Sequence, residues 1–326
     1  MIEAEKAPFT DPRSIKGRCQ RIKGFCPSKF FCILTAMKNL SLDHIAYEIR
    51  DPELLLSPVV LCSPHSGRDY SEAFLKSSVL DSREIRSSED AYVDKLIDFI
   101  IEIGAPLLLA KAPRAFVDMN RSSDELDPAL IEGVRSRGQN PRVNSGLGVI
   151  PRVVSKSRAI YRGKLTRAEA DMRINNYWWP YHLALSKLLA RAERVFGYSL
   201  LVDMHSMPHE AIAYLDKVQE GTQIVLGDRF GTSADFALVE MVETALAESG
   251  FCVSRNIPFA GAYITQNYGR PGQSRHVVQI EIDRSLYLDE GSVEISENFH
   301  DFRKKIGTAL SKIVQYTMKE PALAAE

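Results

Sequence analysis

The stretch Ser199-Leu-Leu-Val-Asp-Met-His-Ser-Met-Pro208 constrains this chain more than any other. A short apolar run bounded by turn formers reads as a buried strand. Parallel strands buried on both faces deliver functional groups just beyond their carboxyl ends. His205 is therefore expected at a strand end, facing a crevice. Asp203 lies two residues earlier and on the same face, because side chains alternate along a strand. A carboxylate there can orient an imidazole. Taken alone, the triplet also fits a strand that ends in a solvated histidine. The pattern recurs, however: Pro58-Val-Val-Leu-Cys-Ser-Pro64 delivers His65 into Ser66-Gly67. Two histidines at the ends of two apolar strands predict a shared site.

The rest of the chain alternates strands with helices. Val93, Leu96, Ile97, Ile100 and Ile101 recur at helical spacing, with Ser88 as the N-cap and Gly104 as the stop. Glu89 and Asp90 suit the first turn of that helix and its dipole, or one of them is a metal ligand. Residues 106–111 and 114–118 read as strands, the second running into Asn120-Arg121. Residues 122 to about 157 form a long polar loop of the kind that covers a site. Thr166 and Glu169 make a capping box, and Pro180 should kink or split the helix that follows. The pair Trp178-Trp179 reads as core packing, and Gly197 closes the helix. Strands over 223–226, 251–254 and 276–282 and helices over 233–249 and 299–318 complete a three-layer αβα domain with a mixed, largely parallel sheet.

Composition removes several function classes. Formal charge is -1, from 41 basic and 42 acidic residues, so no overall field points to nucleic acid or an anionic membrane. No apolar run approaches the roughly 20 residues that a membrane helix needs. Five cysteines without a CxxC pair suit a reduced, cytoplasmic setting. Residues 1–50 are basic and aperiodic and are expected to be a flexible extension. The apolar run Phe30–Met37 starts too far from Met1 for a signal peptide. Residues 51–326 are expected to form one catalytic domain.

The groups gathered at strand ends are His65, Glu89 or Asp90, Asn120, Arg121, His205 and Glu281. Two imidazoles and a carboxylate are a ligand set of hydrolytic zinc sites, with a fourth position left for water. Glu281 stands in an apolar strand, where a carboxylate needs a partner or a task. It suits the general base that moves a proton from water to a leaving amine. Arg121 and Asn120 suit a substrate carboxylate, and Arg114 a second clamp, because guanidinium presents a bidentate fork. No GxSxG elbow, P-loop or dinucleotide fingerprint is present.

The segments Ser63-Pro-His-Ser-Gly67, Arg114-Ala-Phe-Val-Asp-Met-Asn-Arg121, Asp203-Met-His-Ser206, Asn256-Ile-Pro-Phe-Ala-Gly261 and Gln279-Ile-Glu-Ile282, with Arg284 and Tyr287, resemble the N-formylglutamate amidohydrolase family. The likeness runs across roughly residues 55 to 315. It implies a phosphorylase/hydrolase-like fold, similar to zinc carboxypeptidases and aspartoacylase-type deacylases. It also implies one zinc ion and hydrolysis of the N-formyl, or another small N-acyl, amide of glutamate or a related amino acid. By that likeness His65 and His205 are zinc ligands, Glu281 is the base, and Asn120-Arg121 hold a carboxylate of a small-molecule substrate. The chain departs from the carboxypeptidase pattern His-x-x-Glu, because the third residue after His65 is Arg68. The carboxylate ligand must come from elsewhere, with Asp90 the first choice and Glu89 the second. The alternatives are a carboxypeptidase-like or peptidoglycan-directed amidase, and a metal-free protein that captures a carboxylated metabolite through Arg121.

Overall fold

Aliphatic runs that are apolar on both faces need cover on both faces, and the strands of this chain receive it. A computed structural model describes residues 45–135, 140–213 and 221–319. Its main sheet has seven strands in the order β1-β3-β2-β6-β9-β7-β8. These are β1 (Tyr47–Arg50), β2 (Val59–Ser63), β3 (Leu107–Ala110), β6 (Ser199–Met207), β7 (Ile224–Gly227), β8 (Val253–Arg255) and β9 (Arg275–Asp283). Two short hairpins, β4 (Val153–Val154) with β5 (Arg158–Ala159) and β10 (Leu288–Asp289) with β11 (Glu294–Ile295), lie outside it. Strands β3, β2, β6 and β9 run parallel, whereas β1 and β7 join them antiparallel.

Helices cover both faces. The helices are α1 (Glu72–Ser77), α2 (Val93–Leu96), α3 (Pro141–Asn144), α4 (Arg167–Arg173), α5 (Trp179–Phe196), α6 (Phe236–Ala247), α7 (Tyr263–Tyr268) and α8 (Phe299–Lys319), with α1 and α3 lying outside the two covering layers. Alternation along the strands sorts the core into two layers. Leu61, Val202, Met204 and Ile280 pack with α2, α6 and α8. Val60, Leu108, Leu201 and Val277 pack with α4, α5 and α7 on the other face. The chain leaves β2 across the first layer and returns from β3 across the second. The order of the sheet therefore reverses between β2 and β6, and in open α/β sheets that is where a crevice forms at the strand ends.

Several local expectations change. The helix expected from Ser88 begins only at Val93, after Tyr92 in a left-handed turn (φ 61°), and gives way to a 3-10 stretch over Asp98–Ile103. The cause is a tether: the Asp90 N–H donates to the His65 carbonyl at 3.0 Å, drawing the chain toward the strand end before a helix can start. Residues 114–118 are a turn rather than a strand, since the Pro113 carbonyl accepts from Phe116 and Val117 at 2.9 and 3.3 Å. Strand β1 falls inside the stretch expected as an extension and pairs with the edge of β3; the rest of that stretch, 1–44, lies outside the described residues. Thr166 caps α4 through the Glu169 N–H, and Gly197 (φ 83°) ends α5. Pro180 sits in the first turn of α5, after a π-helical step over Ile174–Trp178, where its missing N–H is tolerated. Trp178 is core, but Trp179 is 38% exposed.

Candidate active site

Strands β2, β6 and β9 lie side by side, so their carboxyl ends share one edge. His65 follows β2 by two residues, His205 stands in β6, and Glu281 is the register partner of His205 on β9. The two imidazole rings lie 4.8 Å apart. Asp90, brought in by its backbone bond to His65, completes a buried group of three. Its Oδ2 is 2.9 Å from His205 Nδ1 and 3.4 Å from His65 Nδ1. His65 Nδ1 is buried and has no hydrogen-bond partner. A tetrahedral ion with bonds of about 2.0–2.1 Å holds its ligand atoms about 3.3 Å apart, so the spacing of this trio suits one metal ion.

The far side of each ring is held by a carboxylate. His65 Nε2 lies 2.7 Å from Asp118 Oδ1, and His205 Nε2 lies 3.1 Å from Asp203 Oδ1. At His65 such a partner keeps the proton on Nε2 and turns the Nδ1 lone pair inward. Asp90 is fixed in turn by Arg284, which donates to Asp90 Oδ1 at 2.7 Å and to Ser206 Oγ and O at 3.0 Å each. Tyr287 donates to the Ala91 carbonyl at 3.0 Å and pins the same turn.

The charges do not balance. Asp90, Asp118, Asp203 and Glu281 bring four carboxyl groups, and the paired arginines Arg114 and Arg284 bring two positive charges. That surplus of buried acid suits a cation beside the trio. Burial would push the carboxyls of Asp90 and Asp118 up, but their partners win. The two imidazoles and Arg284 hold Asp90 well below the usual carboxylate range, and His65 with Arg114 does the same for Asp118. Burial opposes charge on His205, yet Asp203 and Asp90 hold its imidazole well above its ordinary range. Burial, helped by the charge of Asp90, pushes Glu281 up to about 7 against the pull of His205, Arg114 and Arg284. Gln279, on the same face of β9, donates to Glu281 Oε1 at 3.0 Å.

The remaining candidates divide. Glu89 does not join the trio: its Oε1 accepts from Tyr70 at 2.5 Å and from Arg86 at 3.2 Å. Arg114 donates to Asp118 Oδ2 at 3.0 Å, so it braces the partner of His65. Asn120 is expected from the sequence to hold a substrate carboxylate, but here its amide is engaged at both ends. Its Oδ1 accepts from the Ile264 N–H at 2.7 Å, and its Nδ2 lies 3.0 Å from His205 Nε2. Arg121 is buried and donates to the Leu147 carbonyl at 3.0 Å. Among the described residues it forms no ion pair. Burial, reinforced by the charges of Arg114 and Arg142, lowers its pKa despite the pull of Asp118. A buried guanidinium without a counterion is a place for an anion. Sequence reasoning missed Asp118 as the partner of His65 and Arg284 as the clamp on Asp90. The first had a signal, since Asp118 precedes Asn120 as Asp203 precedes His205. The second had none, because 194 positions separate Arg284 from Asp90.

The chain also has named relatives. A sequence profile of N-formylglutamate amidohydrolases matches residues 57–288. An N-formylglutamate deformylase of Pseudomonas aeruginosa is 33% identical over 240 residues, covering 72% of this chain and 83% of that protein. One from Pseudomonas putida is 29% identical over 237 residues, covering 72% of this chain and 82% of its own. The crystal structure of an N-formylglutamate amidohydrolase from Ralstonia eutropha JMP134 superposes with a TM-score of 0.78 at 36% identity, covering 84% of this chain and 99% of that one.

Proposed function

The chain belongs to the N-formylglutamate amidohydrolase family, and from that premise we propose that it hydrolyses the amide of an N-formylated amino acid, N-formylglutamate first among them, with zinc held by His65, Asp90 and His205. The products are formate and the free amino acid: the C–N bond breaks and a C–O bond to water forms. The observation that carries the reading is the convergence of His65 Nδ1, His205 Nδ1 and Asp90 Oδ2, with a carboxylate behind each ring. Zinc bound there would polarise the formyl carbonyl and bring the pKa of water to about 7. Every other role falls to the chain itself. Asp118 fixes the tautomer of His65, and Asp203 lies behind the ring of His205. Glu281 takes a proton from the attacking water and returns it to the departing amine. Arg114, charged and close to Glu281 and Asp90, faces the oxygen on which negative charge develops. Arg121 holds the α-carboxylate, and Asn120 steadies the ring of His205.

The test is formate release from N-formylglutamate by protein stripped with a chelator and then titrated with zinc. Activity absent after stripping and restored as zinc approaches one per chain is the expected outcome. Full activity in the stripped protein would overturn the metal. Inactivity at full zinc loading would overturn the substrate.

A further inference from the structure

Arg121 is not the sole unpaired guanidinium near this site. The loop that carries Arg142 is fastened to the segment that carries Arg121 by a chain of short contacts. The Leu147 N–H donates to the Arg142 carbonyl at 2.8 Å, and the Leu147 carbonyl accepts from Arg121 Nε at 3.0 Å. The next residues lock the register: Val149 N–H donates to the Glu125 carbonyl at 2.9 Å, and Asp118 N–H to the Val149 carbonyl at 2.8 Å. Gly148 is required here, because a Cβ would stand 2.5 Å from the Glu125 carbonyl oxygen. Asn140 caps α3 through the N–H groups of Arg142 and Val143 and fixes where Arg142 leaves the backbone.

The side chain of Arg142 is exposed and makes no ion pair among the described residues. Its charge is felt at Arg121, where it adds to burial in lowering the pKa. Two like charges so placed repel unless something negative joins them. The acid that faces both, Glu125, pairs with neither. Its Oε2 is buried without a hydrogen-bond partner, and burial raises its pKa. This neighbourhood therefore offers two guanidinium forks, one buried and one exposed, while its other acids are engaged elsewhere: Asp118 with His65 and Arg114, and Asp124 with Ser122.

We propose that Arg142 receives the side-chain carboxylate of the substrate while Arg121 holds its α-carboxylate, so that Arg142 sets the preference for acidic over neutral N-acyl amino acids. The inference rests on the function proposed above. It predicts a site that reads N-formylglutamate against N-formylglutamine, which has nearly the same shape and lacks one charge. A hydrogen-bonded charge pair of this kind is expected to separate the two by roughly 10–100-fold.

In a Glu281→Gln background, where the compounds bind without being consumed, the full-length protein with wild-type Arg142 and with Arg142→Gln is titrated calorimetrically with each compound, and turnover of both is measured in parallel with Glu281 in place. Binding tests the inference and turnover tests the function, so the two can fail separately. The expected result is an affinity ratio of about 10–100 with wild-type Arg142 that collapses toward one in Arg142→Gln and is partly kept in Arg142→Lys. Equal binding of both compounds with wild-type Arg142, or a ratio unmoved by Arg142→Gln, overturns the inference. Parallel thermal melts establish that the exposed substitution leaves the fold intact.

Discussion

Successive residues of one strand face two different environments. Along β9, Val278, Ile280 and Ile282 enter a layer built from apolar residues, together with Val202 and Met204 of β6. Val277, Gln279 and Glu281 face the other way, beside Asp203 and His205. Both faces are covered by helices, and both are largely withdrawn from water. They differ in what burial demands. On the apolar face, close packing suffices. On the other, each polar group carries a desolvation cost that a partner must offset. Their partners meet that demand: Asp118 for His65, Asp203 for His205, Arg284 for Asp90 and Gln279 for Glu281. Period-2 alternation thus lets one face of the sheet be core to the strand ends while the other carries a reaction site beside its own core, with no loop needed to separate them.

The sharpest way to break this contrast is His205→Ala. It should abolish metal retention and turnover, as read by metal analysis and formate release, while circular dichroism shows a folded protein. Retained zinc and activity would place the centre elsewhere. Glu281→Gln keeps size and most hydrogen bonding, and should lower kcat by roughly 10²–10⁴ with metal content and Tm nearly unchanged. A variant that is less stable yet fully active would make Glu281 a structural acid. Asp118→Asn weakens the support behind His65 and should cost about 10–100-fold in zinc affinity by chelator competition. An unchanged affinity would show that the ring needs no carboxylate behind it. The smallest effect belongs to the apolar face. Ile280→Val, one residue before Glu281, should cost about 0.5–1.5 kcal/mol in denaturant unfolding and leave kcat per folded molecule alone. A changed kcat would mean that the two faces are coupled.

What was legible in the sequence follows the same division. Apolar runs and turn residues located β2, β3, β6 and β9 to within a few residues, because those signals are local. Residue type at the ends of apolar runs, with the family resemblance, drew attention to His65, His205, Glu281 and Arg121. Two neighbouring acids, Glu89 and Asp90, could not be told apart by pattern. A single backbone bond to His65 separates them, turning Asp90 inward and leaving Glu89 to Tyr70 and Arg86. Residues 114–118 misled for a related reason. Their alternation mimics a strand, but Pro113 starts a turn, and the charges of Arg114 and Asp118 serve the site. Contacts made across the sheet, such as Arg284 with Asp90, leave no trace in either local neighbourhood.

That last contact bears on how the protein is made. Both histidines and Asp90 emerge from the ribosome well before residue 284. Until then β6 has no β9 beside it, and Asp90 has no guanidinium to hold its Oδ1. The three ligand atoms therefore reach their final spacing only when nearly the whole domain has been synthesised and folded. A growing or truncated chain carries the right residues without the right site, so on the function proposed above metal would load late, as a report on completed folding.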